Sequence, residues 1–284
     1  MILISDSGST KADWVLVKDD QSRENFNSIG FNPFFHNEKF IVDELRRQNI
    51  FNHLSEKVEK IFFYGAGCSS KERNQVVRNG LQIIFPKAEI LIDHDLLASA
   101  YSVYSGEPNI ACILGTGSNS CFFDGKNIYE EVPALAYILG DEGSGSYFGK
   151  ILLKKFLYHQ LPKKITQTLE DEYHLTKEII FENVYKKPNA NVYLASFFRI
   201  MVKHKEEDFV TSIVRLGMKD FMENHILCYK NYGNVNSNFV GSIGFYFEDI
   251  LREVAEGLGI GVGKVIKQPI NGLVDYHLKH LIKK

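Results

Sequence analysis

The sequence predicts an α/β protein, on three observations. Strand-like and helix-like segments alternate between residues 60 and 104. A strand, a Gly/Ser/Thr turn and a second strand occur twice, with the turns about 109 positions apart. From Ser144 to Tyr232 the apolar residues have helical spacing and no strand is legible. The recurrence predicts two lobes built on one plan, the second carrying a helical insertion.

The elements follow in order. Met1–Ser5 is an apolar run ending in Asp6-Ser7-Gly8-Ser9-Thr10, and Trp14–Val17 is a second run closed by Lys18-Asp19-Asp20. Two short strands joined by such a turn make a hairpin. Phe26–Phe31 reads as a third strand and Phe40–Leu45 as helical. Lys60–Tyr64 is a strand ending at Gly65-Ala66-Gly67, Lys71–Ile84 a helix, Glu89–Ile92 a strand, and Asp95 opens a helix to about Tyr104. Ser105-Gly106-Glu107-Pro108-Asn109 is turn-rich and marks a boundary between domains 1–107 and 108–284. Ile110–Leu114, Gly115-Thr116-Gly117-Ser118 and Asn119–Phe123 repeat the opening theme. The insertion, about 146–232, holds one helix around Leu152–Leu157 and two more at Val192–Val202 and Phe209–Tyr229. Asn238–Ser242 is a strand and turn, Phe245–Glu256 a helix, Gly259–Ile266 a strand, and a last helix starts near Ile270.

Composition narrows the function. The 284 residues are 44% hydrophobic and 24% charged, an ordinary globular balance long enough for two domains. Lys and Arg number 33 against 35 Asp and Glu, so the broad basic field of a nucleic-acid partner is missing. No stretch reaches ~18 uninterrupted apolar residues, so a membrane partner is not expected. The first residues lack the pattern of a signal peptide, and Cys68, Cys112, Cys121 and Cys228 form no Cys-x-x-Cys pair. A cytoplasmic protein with reduced thiols is the expectation.

Neither a P-loop motif nor a Gly-x-Gly-x-x-Gly fingerprint is present. Gly/Ser/Thr turns expose consecutive backbone N–H groups and hydroxyls that can surround phosphate oxygens. Each such turn, taken alone, also reads as an ordinary hairpin. Lys11 adds a charge there or lies on a solvated strand edge, and Asp6 suits a metal–water ligand because Mg²⁺ keeps waters and uses one or two carboxylates. In Gly140-Asp141-Glu142-Gly143-Ser144-Gly145-Ser146 a helix cap needs one residue, which leaves a carboxylate and three glycines to explain. Asp95, at a strand end and helix head, is either an N-cap or a base for a substrate hydroxyl.

Taken together, Asp6–Lys11, Gly115-Thr116-Gly117-Ser118-Asn119, Gly140-Asp141-Glu142-Gly143-Ser144 and Val240-Gly241-Ser242-Ile243 resemble the ordered motifs of the sugar kinase, heat-shock protein and actin superfamily. More narrowly they resemble the N-acetylglucosamine kinase-like branch of the BadF/BadG/BcrA/BcrD-type ATPases. The resemblance runs from Ile2 to the final helix. It implies two actin-like (ribonuclease H-like) lobes with a central cleft, and leaves open whether the last helix returns to the N-terminal lobe. It implies ATP and Mg²⁺, with Ser7, Gly8, Ser9, Thr10, Lys11 and Gly115, Thr116, Gly117, Ser118 at the phosphates and Asp6 near the metal. Gly241 and Ser242 would contact adenosine. Asn32, Gly65, Ala66, Gly67, Asn119 and Asp141 would bind the sugar, and Asp95 would be the base.

The implied activity is phosphorylation of an amino sugar, N-acetylglucosamine at its 6-hydroxyl first, by a chain plausible as a homodimer. N-acetylmuramic acid or unacetylated glucosamine is an alternative acceptor. A BadF-type activating ATPase, or an actin-like nucleotide switch without a sugar, is the alternative class. Two departures stand out. Ser7-Gly8-Ser9 replaces the glycine run of many relatives, and the insertion matches only in its helical character.

Overall fold

The computed structural model describes residues 1–282. The chain folds as two compact units, Met1–Val103 with the C-terminal segment from Pro269, and Tyr104–Gln268.

The first unit is built on β1 (Ile2–Ser7), β2 (Lys11–Val17), β3 (Arg23–Ile29), β4 (Lys60–Gly65) and β5 (Glu89–His94), in the order β3-β2-β1-β4-β5. The first three strands are antiparallel neighbours, whereas β4 and β5 add in parallel. Alternate side chains of a strand point to opposite faces, and here both faces are covered. Leu3, Trp14, Leu16, Phe31 and Phe63 pack under helices Glu38–Arg46, Asn49–Leu54 and Lys71–Ile84. Ile4, Val15, Phe62 and Tyr64 pack with Ala98, Leu273 and Val274 on the other face. That is why β1 is apolar at successive positions. Side-chain caps start two of these helices: Asn37 Oδ1 accepts the Phe40 amide at 2.9 Å, and Ser70 Oγ accepts that of Arg73 at 3.3 Å.

The second unit repeats the plan with β6 (Asn109–Leu114), β7 (Ser118–Phe123), β8 (Ile128–Tyr129), β9 (Asn236–Val240) and β10 (Val262–Ile266). Its order reads β8-β7-β6-β9-β10, the same topology strand for strand. Phe148, Leu152, Phe221, Phe239 and Leu251 form its core with Ile110, Cys112 and Leu114. Helices fill the stretch from Gly145 to His225. Helix Ala190–Ser196 crosses helix Gly145–Leu157 closely: a Cβ at Gly149 would lie 2.0 Å from the Leu194 carbonyl oxygen.

Some elements differ from the sequence reading. The third strand is Arg23–Ile29, ending before Gly30 because Gly30 turns in against Gly8. The expected helix Val192–Val202 is two, Ala190–Ser196 and Phe198–Lys203, broken at Phe197, where ψ flattens to −8°. The long insertion helix stops at His225, and the last strand starts at Val262, after Gly259 has taken a left-handed φ of +69°. Helices Lys163–Asp171 and Lys177–Phe181 and strand β8 were not legible. Among the described residues no helix is long and apolar enough to cross a membrane.

Candidate active site

In the first unit the β1–β2 turn and three chain segments beside it converge. Gly8 N–H donates to the Lys11 carbonyl at 2.9 Å, closing the turn. Ser7 is fully buried, and its hydroxyl accepts the Phe31 amide at 2.8 Å, so it ties β1 to the Gly30–Asn32 loop. A Cβ at Gly30 would sit 1.9 Å from the Gly8 carbonyl oxygen. Only glycine allows that approach. Asn32, 6% exposed, reaches Ser9 Oγ through Nδ2 at 3.4 Å and accepts the Phe34 amide at 3.0 Å. At the end of β4, Ala66 N–H donates to the Ser7 carbonyl at 2.8 Å, and Gly67, at φ +82°, abuts Asn32 Oδ1. Gly65 pairs with Ser7 on one side and His94 on the other. Thr10 is exposed, with its carbonyl accepting the Gly30 amide at 3.1 Å. Lys11 Nζ lies 2.6 Å from Asp13 Oδ1, so its charge is engaged on the strand.

Asp6, Asp13 and Tyr64 are cross-strand partners in one row of the sheet. The Asp6 side chain keeps partial solvent access but is closely surrounded by protein. Burial, then the Asp95 and Asp13 carboxylates, push its pKa up to about 8. Asp95 is the first residue of helix Asp95–Val103. His94 Nδ1, not Asp95, accepts the Leu96 amide, at 3.3 Å. The Asp95 carboxylate, 34% exposed and 3.7 Å from His94 Nδ1, is thus not consumed as the cap of that amide.

In the second unit the β6–β7 turn is held by the acidic loop. Gly145 N–H donates to the Gly115 carbonyl at 2.8 Å and Ser146 N–H to that of Thr116 at 3.0 Å. Asp141, 9% exposed, accepts the Ser118 amide at 3.1 Å and the Ser146 hydroxyl at 3.3 Å, and its carboxylate fills the space a Cβ at Gly117 would need. Burial raises the Asp141 pKa despite those hydrogen bonds. The loop's residues divide the work. Ser144 caps helix Gly145–Leu157 through the Tyr147 amide at 3.2 Å, Asp141 holds the turn, and Glu142 lies 3.6 Å from buried His225. Ser118 Oγ is buried without a hydrogen-bond partner. Gly241, at φ +129°, runs against the same turn, since a Cβ there would lie 2.1 Å from the Leu114 carbonyl oxygen. Ser242 follows as the first residue of a short helix. Asn119 Nδ2 donates to Glu130 at 3.3 Å.

The first unit therefore gathers Asp6–Thr10, Asn32, Gly65–Gly67 and Asp95, and the second gathers Gly115–Ser118, Asp141 and Gly241. Asn119 and Lys11 are turned to carboxylates beside them. Gly30 was given no role from sequence, a glycine between a strand and Phe31 being the available signal, whereas Ser146 stood at the end of the acidic loop without a role of its own.

A hairpin-led mixed sheet used twice, with a Gly/Ser/Thr turn at the head of each copy, is the fold that the resemblance to the actin-like ATPase superfamily implies. Comparison with solved structures agrees. A Porphyromonas gingivalis protein described as a "putative N-acetylglucosamine kinase" superposes with a TM-score of 0.92 at 35% identity, covering 99% of this chain and 100% of that one. The chain belongs to the N-acetylglucosamine kinase-like family of the actin-like ATPase superfamily. A Chromobacterium violaceum protein of the same description matches in fold, with a TM-score of 0.70 at 14% identity over 97% and 98% of the two chains. So does a ROK family glucokinase from Streptomyces griseus in complex with glucose and AMPPNP, at 0.55, 14% and 97% of each chain. No family model matches the sequence, and no curated protein does.

Proposed function

We propose that the chain transfers the γ-phosphoryl group of ATP to an amino sugar, N-acetylglucosamine first and its 6-hydroxyl first, with Asp95 as the base. The observation that carries this is the Asp95 carboxylate, partly exposed just past the carboxyl end of β5 and not used to cap the Leu96 amide, which His94 takes instead. The 35% identity to the Porphyromonas gingivalis protein supports the choice of sugar.

The chain's own residues supply positioning. The backbone amides of Ser9 and Thr10 and of Thr116 and Gly117, with the hydroxyls of those turns, are suited to phosphate oxygens. The Gly8 and Ser118 amides are spent on Lys11 and Asp141, and the orphaned Ser118 hydroxyl fits an acceptor oxygen there. Gly241 and Ser242 are assigned to the adenosine. Asn32 and Gly65–Gly67 orient the sugar, with Asn119 at its edge. Asp95 takes the proton from the sugar hydroxyl as its oxygen attacks phosphorus, the bond to the β,γ-bridging oxygen breaks, and ADP leaves.

Asp6 fits a divalent cation, because its carboxylate is crowded by Asp95 and Asp13 and a positive charge relieves that repulsion. Among the described residues no three His, Cys, Asp or Glu side chains are grouped to hold a metal alone. Mg²⁺ would therefore use one or two carboxylates plus water and phosphate oxygens, and when bound it neutralises phosphate charge.

The activator reading needs thiolate ligands for an iron–sulfur cluster. Cys68, Cys112 and Cys121 are buried, away from the surface that a cluster bridging two subunits needs. That burial favours the kinase over the activator.

The test is ADP release with Mg·ATP across glucose, glucosamine, N-acetylglucosamine, N-acetylmannosamine and N-acetylmuramic acid. N-acetylglucosamine should give the highest kcat/KM. Asp95→Ala should keep its fold and lose roughly 10²-fold or more in kcat. A variant with near-normal turnover removes Asp95 from the mechanism.

A further inference from the structure

Two aromatic rings face solvent just past Asn32: Phe34 is 60% exposed and Phe35 53%. Leaving both in water forgoes the stabilisation their burial would bring, and an exposed apolar patch edged by polar groups marks a ligand surface. Phe34 is nevertheless firmly placed. Its backbone amide donates to Asn32 Oδ1 at 3.0 Å, and its ring lies over the Arg73 guanidinium, 4.2 Å from Cζ to the centroid. Arg73 is itself pinned, through Nε to the Gly67 carbonyl at 3.0 Å and through Nη2 to Ser69 Oγ at 2.8 Å. Gly67 completes the arrangement, since a Cβ there would meet Asn32 Oδ1 at 2.4 Å and Phe34 Cδ2 at 2.9 Å. One guanidinium thus fixes a ring that is open on its remaining surface, next to two of the turns assigned to the sugar.

We propose that Phe34 selects the acceptor, its open ring surface packing the acetamido methyl group of an N-acylated amino sugar. The inference rests on the sugar-kinase reading and deepens it. An unacetylated amino sugar carries an ammonium near neutral pH. Arg73 already holds one cation against this ring, so a second cation meets repulsion from the guanidinium where a neutral acetamide meets none. Glucose offers no methyl group and gains nothing from the ring. Arg73 acts through Phe34 and Gly67 as a positioning residue.

The test compares wild type with Phe34→Ala and Phe34→Trp. One buried methyl-sized contact changes discrimination by roughly tenfold or more. Phe34→Ala should therefore raise KM for N-acetylglucosamine by about that factor, with KM for ATP, KM for glucose and the melting temperature unchanged. Phe34→Trp should restore the preference. The natural chain has one tryptophan, Trp14, which is fully buried, so the introduced indole reports on its own surroundings. Titrating N-acetylglucosamine into Phe34→Trp without nucleotide should shift its emission, and glucosamine should not. An unchanged N-acetylglucosamine-to-glucose preference in Phe34→Ala overturns the assignment even when the wild type is an active kinase. A wild type that releases no ADP with any sugar defeats the kinase reading separately, and the indole titration then still decides whether this ring meets the acetamide.

Discussion

The Asp141 carboxylate accepts the backbone amide of Ser118, 23 positions earlier in the chain, at 3.1 Å, and its other oxygen takes the Ser146 hydroxyl. A carboxylate placed behind a turn assigned to phosphates is costly unless it shapes that turn, because it adds like charge to the ligand's surroundings. The resemblance assigned Asp141 to the sugar. Its hydrogen bonds give it a first task at the β6–β7 turn. Asp141→Ala frees the turn and should raise KM for ATP roughly tenfold, the scale of a lost hydrogen bond to a charged group. Asp141→Asn keeps one acceptor oxygen and tolerates the left-handed φ of +59°, so it should recover most of that loss. An increase confined to the sugar KM would return Asp141 to the acceptor.

Asp6 carries a charge that the surrounding fold disfavours. Its pKa, pushed up to about 8 by burial and by Asp95 and Asp13, means that its charged form is disfavoured in the folded, metal-free protein. At pH 9 in chelator Asp6→Asn should melt higher than wild type, because the buried charge and its two repulsions are gone. The same variant should lose turnover with Mg·ATP. Thermal denaturation and ADP release on one preparation check both halves; a lower melting temperature would show that the charge is already compensated.

Gly30 is needed for a close approach and not for an unusual φ. A methyl group there would stand 1.9 Å from the Gly8 carbonyl oxygen and 3.0 Å from the Lys11 amide nitrogen. Gly30→Ala must push the β1–β2 turn outward, at about 1–3 kcal/mol for an overpacked position. The expected result is a lower melting temperature together with a raised KM for ATP. Loss of stability with an unchanged KM would separate this loop from the nucleotide.

The two hairpin turns were legible because each lies between apolar runs that can only be strands, and their topological equivalence followed from the repeat. Alternating β and α segments between residues 60 and 104 gave the parallel half of the first sheet for the same local reason. Gly30 was hidden because its constraint comes from Gly8, 22 positions away, and no periodicity records such an approach. Ser118 and Asp141 were each visible as motif members, but their hydrogen bond is tertiary. Helix Lys163–Asp171 escaped notice because only Ile165, Thr168 and Leu169 are buried, too few apolar positions to show a period. Phe34 and Arg73 likewise become a pair only when Gly67 turns back at positive φ.

His277 supplies the pH prediction. It is fully buried, with its ring edge-on to Phe62 at 4.3 Å and Nε2 3.1 Å from the Tyr64 hydroxyl, while Tyr101 and Tyr276 stand around it. Burial lowers its pKa from 6.5 to about 4. Between those values the unfolded chain takes up a proton that the folded chain refuses, so stability must fall as pH drops from 6.5 toward 4. Above pH 6.5 both states carry neutral imidazole, and His277 contributes no slope. His277→Gln keeps a hydrogen-bonding partner for Tyr64 without a group that titrates in that window. Its denaturation midpoint should therefore change less than wild type's between pH 7 and pH 4.5, as urea titrations at a series of pH values would measure. Equal slopes in both proteins would mean that the imidazole takes its proton in place, with the fold opening around it.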